Sequence, residues 1–181
     1  MDQMNESDDE LSSGSPNRQA RSRMRMRDVS RSLPTSLLRT REAVMRQFRP
    51  VLRAVDLTEQ QWRVVRALGS VPEIDATGLA MATFLLPPSL SRILRDLEKR
   101  NLITRRPDPS DLRAWLISLT PEGRQTLEVA GVTVERIYGA ITERVGIERL
   151  EALMKLLRDV ELDLQSPLTD EVDNEPLGGE D

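Results

Sequence analysis

The sequence predicts a mainly α-helical fold with one small β-hairpin, on three observations. Apolar residues recur every three or four positions along most of the chain. Rings are scarce, with 2 Trp, 1 Tyr and 2 Phe among 181 residues, so Leu, Val, Ile and Met must fill the interior. The apolar period becomes strand-like in one short region only, residues 102–119. A chain of this length holds one core of about 100 to 200 residues.

The first helix begins near Pro34 or Thr35 and carries Leu37, Leu38, Val44, Met45, Phe48, Val51, Leu52 and Val55 as an amphipathic stripe. Pro50 is expected to kink it near Arg46, whose carbonyl loses its partner. Thr58 followed three residues on by Gln61 is a capping box that opens a second helix through Trp62, Val64, Val65 and Leu68, ended by Gly69. Asp75 caps a short third helix running through Leu79 to Met81. Pro87 breaks the chain, and Pro88 suits the first turn of a fourth helix over residues 89–100. Residues 102–106 and 114–119 read as two strands joined by a polar loop, a hairpin. Thr120 caps a long fifth helix bearing Leu127, Ala130, Val134, Ile137, Tyr138, Ile141 and Val145 on one face. A sixth helix from Ile147 bears Leu150, Leu153, Met154, Leu157, Val160 and Leu164. The last two helices have too little body beside them to bury these residues alone, so a second copy of the chain is expected.

Composition excludes much chemistry. The chain contains no Cys and no His, which removes disulfides, thiol nucleophiles, Cys/His zinc sites and histidine acid–base catalysis together. With no phosphate-binding glycine loop, metal cluster or nucleophile–base pair in the sequence, neither an enzyme nor a cofactor is expected. The longest apolar runs, such as residues 71–86, are broken by Pro72, Glu73 and Asp75 and fall short of the ~20 residues that cross a bilayer. The acidic start lacks the basic and apolar regions of a secretory signal, so no membrane partner and a cytoplasmic location are expected.

Formal charge is −4, from 26 basic and 30 acidic residues, but it is segregated. Residues 1–17 carry only acids, Arg18 to Arg31 form a basic run, and the stretch from Gln165 onward is again acidic. The expected organisation is a disordered Arg-rich arm over 1–32, a domain over 33–164 and a disordered acidic tail over 165–181. The Arg-rich arm either touches DNA phosphates or is simply solvated.

Two helices joined by a tight turn and followed by a hairpin match the order of a winged helix-turn-helix. At ~100° per residue, Leu90, Ile93, Leu94 and Leu97 gather on one side of the fourth helix, and Arg92, Arg95 and Lys99 on the other, with Ser91 beside them. Pro88, Ser89 and Ser91 stand at its N-terminal end, where short side chains let backbone approach a groove. Hydroxyls there bond phosphates or base edges, and Arg92 and Arg95 are long enough to reach guanine edges. A solvated basic face is the plain alternative, since Asp96 and Glu98 lie at pairing distance along the helix. The hairpin adds Arg105, Arg106 and Arg113 for a second contact with double-stranded DNA, with Asp111 placed to hold the Arg113 guanidinium.

The run Asp111-Leu112-Arg113 and the run Leu119-Thr120-Pro121-Glu122-Gly123 resemble the wing and post-wing signature of the MarR family of bacterial regulators. The resemblance covers about residues 34–163. Residues 41–50 and 57–66 resemble the branch of that family that represses an aromatic-acid degradation operon. The resemblance implies a homodimer on a pseudo-palindromic operator, with dimerisation helices over about 33–55 and 121–164 and the DNA-binding part over about 57–119, and repression relieved by a small phenolic or aryl carboxylic acid. A global or architectural regulator without an effector is the alternative. Leu112 departs from the pattern, standing where the wing often carries a polar or basic residue.

For such an acid, the first helix places Arg41 at the centre of its apolar stripe, among Leu37, Val44, Met45 and Phe48, whereas Arg39, Arg46 and Arg53 fall opposite. A buried guanidinium needs an anion, so Arg41 either pairs with a carboxylate of the protein or awaits one on a ligand. With Phe48 and Trp62 for the ring and Arg66 as second donor, it outlines an aromatic-acid pocket. Trp62 as plain core is the competing reading, as is an ion pair of Arg41 with Glu42, Glu59 or a partner chain.

Overall fold

The structure is a computed structural model that describes residues 32–111 and 114–165. The expectations for the N-terminal arm through residue 31, for the tail from residue 166, and for Leu112 and Arg113 lie outside these. The chain divides at Arg39 into two units. In the first, the described residues open a helix, with the Ser36 amide donating to the Ser32 carbonyl at 2.9 Å. The second runs from Thr40 onward and contains the sheet, the site residues and every later helix.

Helix α1 (Leu33–Ala54) contains Pro50 and continues beyond it. Helix α2 (Glu59–Gly69) is opened by the complete capping box: Thr58 accepts from the Gln61 amide, and the Gln61 side chain accepts from the Thr58 amide. Strand β1 (Ile74–Asp75) leads directly into α3 (Ala76–Thr83), with the Asp75 carboxylate accepting from the Gly78 amide as N-cap. Helix α4 (Pro87–Lys99) starts on its two prolines, ahead of the Ser89 start that the periodicity predicts. Strands β2 (Ile103–Pro107) and β3 (Trp115–Leu119) form the antiparallel hairpin, with Ile103 opposite Leu119 and Pro107 opposite Trp115. Helices α5 (Pro121–Val145) and α6 (Ile147–Asp163) are separated by Gly146, whose φ of 91° suits a residue without a side chain.

The hairpin is thus part of a three-stranded antiparallel sheet in the order β1-β3-β2, with Ile74 opposite Ile117. Sequence pattern does not reveal β1, because two residues are too few to show a period of two and Asp75 already reads as a helix cap. It is both.

The core joins the end of α1 to α2, α3, α4, the sheet and the middle of α5. Leu52, Leu68, Leu79, Leu90, Leu97, Ile103 and Ile117 are all but inaccessible within it. On α4 the buried residues are Leu90, Ile93, Leu94 and Leu97, so the leucine face is anchored and the opposite face is committed to solvent. Sheet and α5 are tied at Thr120, whose Oγ1 donates to the Asn101 carbonyl at 2.6 Å and accepts from the Gly123 amide at 3.0 Å. Gly123 is required there: a Cβ would stand 2.0 Å from the Leu102 carbonyl oxygen.

Helix α6 has no buried residue, and Leu153, Met154, Leu156, Leu157 and Val160 are exposed along it, as are Val129, Val132 and Tyr138 on α5. No helix among the described residues is long and apolar enough to cross a membrane.

Candidate nucleic-acid interface and ligand cavity

Because α4 buries its leucines, its remaining face projects outward as a unit. Pro88, Ser89, Ser91, Arg92, Arg95 and Lys99 are all exposed. The acids that might neutralise this face are engaged elsewhere. Asp96 accepts from Gln61 Nε2 at 2.6 Å and lies 3.7 Å from Arg100, and Glu98 pairs with Arg105 at 3.1 Å. Arg95 Nε reaches only the Ser91 carbonyl, at 3.3 Å. Among the described residues no carboxylate pairs with Arg92, Arg95 or Lys99, so three positive charges face solvent uncompensated on one helix.

The hairpin arginines behave differently. Arg105 is part-buried: its Nη2 ion-pairs with Glu98, yet Nε and Nη2 are enclosed without a hydrogen-bond partner. Arg106 grips Glu73 with two nitrogens, Nε to Oε1 at 2.8 Å and Nη2 to Oε2. That grip lowers the Glu73 pKa and raises that of Arg106. Arg105 and Arg106 therefore brace the hairpin against α4 and the segment before β1, rather than standing free as the sequence alone suggests. Asp111 is described, its carbonyl accepting from the Ala114 amide at 2.8 Å; its expected partner Arg113 is not.

On the other side of α2 lies a cavity of about 570 Å³, bounded by α1, α2, the α3–α4 turn and α5. It brings together Arg41, Phe48, Trp62 and Arg66, the four residues singled out for a ligand. Trp62 is only 6 % exposed, and Phe48 stacks at a tilt on Tyr138 with ring centroids 4.9 Å apart. Arg66 donates to the Tyr138 hydroxyl at 3.2 Å, its guanidinium 6.0 Å from the ring centroid.

Arg41 does not sit unpaired in an apolar stripe. Its side chain is 44 % exposed, with Nη2 bonded to Glu59 and Nη1 to Glu42 at 3.2 Å. Arg49 completes a square, bonding Glu59 and Glu42 at 2.7 Å each. Burial alone would raise the Glu59 pKa, but hydrogen bonds from Arg49 and Arg41 outweigh it and hold the carboxyl below its ordinary value. Donating to Glu42 and Glu59 raises the Arg49 pKa in turn. The helical wheel puts Arg41 correctly on the α1 face toward α2, but α1 is partly open there, and Glu59 at the start of α2 supplies the anion.

Among the further residues that line the cavity without a sequence-based assignment to it, Glu59, Arg63, Phe84 and Tyr138 carry polar or aromatic groups. A signal for the first two exists: Glu59, Trp62, Arg63, Arg66, Ala67 and Ser70 line the cavity at helical spacing, one stripe of α2. Phe84 and Tyr138 carry none, since the first is an aromatic in a turn and the second falls on a stripe that reads as core.

A family model for the MarR family matches residues 55–114, from the start of α2 to the wing. The homoprotocatechuate degradative operon repressor of Escherichia coli is 39 % identical over 128 residues, 71 % of this chain and 86 % of the relative. The chain belongs to the MarR family. Its mainly helical architecture with a small sheet is the winged helix-turn-helix of those regulators, with α3 and α4 as the helix pair and the β2–β3 hairpin as the wing. Two solved family structures show what such a fold accommodates. NadR in complex with 4-hydroxyphenylacetate is 39 % identical, with a TM-score of 0.64 over 71 % of this chain and 92 % of that one. The repressor CouR bound to a 23-mer DNA duplex is 31 % identical, with a TM-score of 0.68 over 77 % of this chain and 99 % of that one.

Proposed function

We propose that this MarR-family regulator is a homodimeric, cytoplasmic repressor that reads a pseudo-palindromic operator with α4 and is released by a small phenolic or aryl carboxylic acid. The genes it controls, on this reading, belong to an aromatic-acid catabolic operon. The observation that carries the DNA half is the uncompensated face of Arg92, Arg95 and Lys99, with Pro88, Ser89 and Ser91 at its N-terminal end. Arg113, with Asp111 two positions before it to hold its guanidinium, supplies the second contact on this reading. Exposed apolar residues along α6 and α5 support the dimer, since a second copy covering them removes a large apolar surface from water.

The effector half rests on the α2 cavity. It has ring-sized apolar walls in Phe48 and Trp62, and cationic donors in Arg41 and Arg66. Two relatives concern aromatic acids by name: NadR was solved with 4-hydroxyphenylacetate, and the Escherichia coli relative represses a homoprotocatechuate operon. The effector-free, architectural reading draws on one observation, that Glu59 and Glu42 already neutralise Arg41.

Intrinsic fluorescence discriminates between the two. In a Trp115→Phe background, titration with hydroxylated phenylacetates, benzoates and cinnamates quenches Trp62 and lowers affinity for an operator duplex in parallel. No response to any of these acids, with DNA binding intact, selects the architectural regulator.

A further inference from the structure

The cavity contains a further arginine whose connection differs from the rest. Arg63 stands on α2 between Trp62 and Arg66, on the same stripe, and its Nη1 donates to the Thr83 carbonyl at 2.8 Å. That carbonyl ends α3. Thr83 is completely buried, and its hydroxyl turns back to the Leu79 carbonyl at 2.6 Å, so the residue is fixed from both ends. The next residue, Phe84, adopts the left-handed conformation with φ 52° and ψ 40°, uncommon for an aromatic side chain, and is 82 % exposed at the rim of the cavity. Three residues later α4 begins.

The cavity's arginines are not equivalent toward an anion. Arg41 is held by two carboxylates, whereas among the described residues Arg63 and Arg66 have no carboxylate partner. Spaced three apart on one helix face, they present two guanidinium groups to the same space. A carboxylate adds charge–charge attraction to the guanidinium and accepts two parallel N–H bonds from it, neither of which a neutral carbonyl offers. A carboxylate entering beside Trp62 therefore competes directly with the Thr83 carbonyl for Arg63.

We propose that Arg63 is the positioning residue through which cavity occupancy reaches the recognition helix: an anionic ligand draws its guanidinium from the Thr83 carbonyl and frees the α3–α4 turn. The inference rests on the aromatic-acid reading of the cavity and deepens it by naming the link. Without ligand, Arg63 clamps the end of α3 and holds α4 in its DNA-reading pose. With ligand, Thr83 loses its partner, the left-handed residue beside it loses its support, and α4 shifts relative to α2. Ligand and DNA then prefer different positions of one turn, which is what coupling between two sites requires.

The test uses the full chain, 4-hydroxyphenylacetate, its uncharged amide 4-hydroxyphenylacetamide, and a duplex selected by the protein from a random pool. Arg63→Gln loses the charge that responds to a carboxylate, and its amide nitrogen ends short of the Nη1 position, so the Thr83 carbonyl loses its partner as well. Without ligand this variant is expected to bind the duplex at least about threefold more weakly than wild type, because α4 is no longer held, and saturating acid then lowers its affinity by under about twofold where wild type loses about tenfold or more. Arg63→Lys restores at least half of that response on a logarithmic scale, which a merely structural side chain would not. In wild type the amide occupies the cavity by calorimetry but releases DNA at least about fivefold less than the acid. Full release by the acid in Arg63→Gln, or equal release by acid and amide, overturns the proposal and leaves the effector reading standing. A wild-type protein that binds neither the acid nor its benzoate and cinnamate counterparts overturns both. If Arg63→Gln proves unstable by thermal unfolding, Arg63→Lys and the acid–amide comparison decide alone.

Discussion

Replacing Arg95 by Ala separates recognition from folding, because the structure assigns this side chain almost nothing to do in the free protein. Among the described residues its hydrogen bonding is limited to the 3.3 Å approach of Nε to the Ser91 carbonyl on its own helix, and no carboxylate pairs with it. Loss of such an exposed side chain changes stability by about 0.5 kcal/mol or less, and Ala favours the helix. Against DNA the expectation is different. An arginine reaching a base edge or phosphate contributes roughly 1–3 kcal/mol, and a two-fold dimer loses it twice, about 2–6 kcal/mol per operator. At about 1.4 kcal/mol per tenfold, affinity falls at least about thirtyfold. Fluorescence anisotropy with a labelled operator at several salt concentrations measures this. A phosphate contact reduces the salt slope by about one per lost contact, whereas a base contact leaves the slope and relaxes specificity at one position. Lys155→Ala on α6, where the ammonium is tied to Asp159 at 2.6 Å, removes the same charge far from α4 in sequence and should leave affinity within about twofold. An Arg95→Ala protein that binds operator as tightly as wild type would refute the assignment of the α4 face.

Packing and ionisation set two further outcomes. Gly123→Ala drives a Cβ to 2.0 Å from the Leu102 carbonyl oxygen, and because the obstacle is backbone the cost sits at the upper end of overpacking, about 3 kcal/mol. The Tm should fall by roughly 6–12 °C; an unchanged calorimetric Tm contradicts the contact. Glu59, held below its ordinary pKa despite partial burial by Arg49 and Arg41, contributes stability that is present above the unfolded carboxylate value of about 4.3. That contribution is lost as pH falls through the lower folded value. Glu59→Gln should therefore be less stable than wild type at neutral pH, with the two converging in acid. Urea midpoints that stay equally far apart from about pH 7 down to about pH 3 would show that the carboxylate is not what links α1 to α2.

The elements with a period or a cap were legible in the sequence. Thr58 with Gln61, Asp75 and Thr120 each announce a helix start that the structure places within a residue, because a side chain accepting from a backbone amide two or three residues on is local chemistry. The α4 face was legible for the same reason: four buried residues at helical spacing dictate which others face out. Partners distant in sequence account for the rest. Arg105 and Arg106 look like free wing cations, yet Glu98 and Glu73 neutralise them across turns, and nothing local says which acid meets which base. For Arg41 an ion pair with Glu42 or Glu59 is one of the readings the sequence allows, and the structure forms both pairs, the second across 18 residues.

Helix α2 emerges as the member that both halves of the proposed function share. One stripe, from Glu59 through Trp62, Arg63 and Arg66 to Ser70, lines the cavity. From the same helix Gln61 Nε2 reaches Asp96 in the middle of α4 at 2.6 Å, while its Oε1 and amide complete the capping box with Thr58. A rotation of α2 large enough to admit a ring beside Trp62 cannot leave Gln61 in place, because the capping box fixes that side chain to the helix it starts. Asp96 then either follows Gln61 or loses it. If it follows, α4 moves; if it loses it, the Asp96 carboxylate keeps only the 3.7 Å approach to Arg100 and stands one turn from Arg92 and from Lys99, where it adds negative charge to the DNA-reading face. Both outcomes weaken DNA binding, so release does not require one particular direction of helix movement. Gln61→Glu, which sets like charges opposite each other at Asp96, should mimic the second outcome and weaken operator binding without any ligand. Gel-shift affinity equal to wild type in that variant would remove Gln61 from the link.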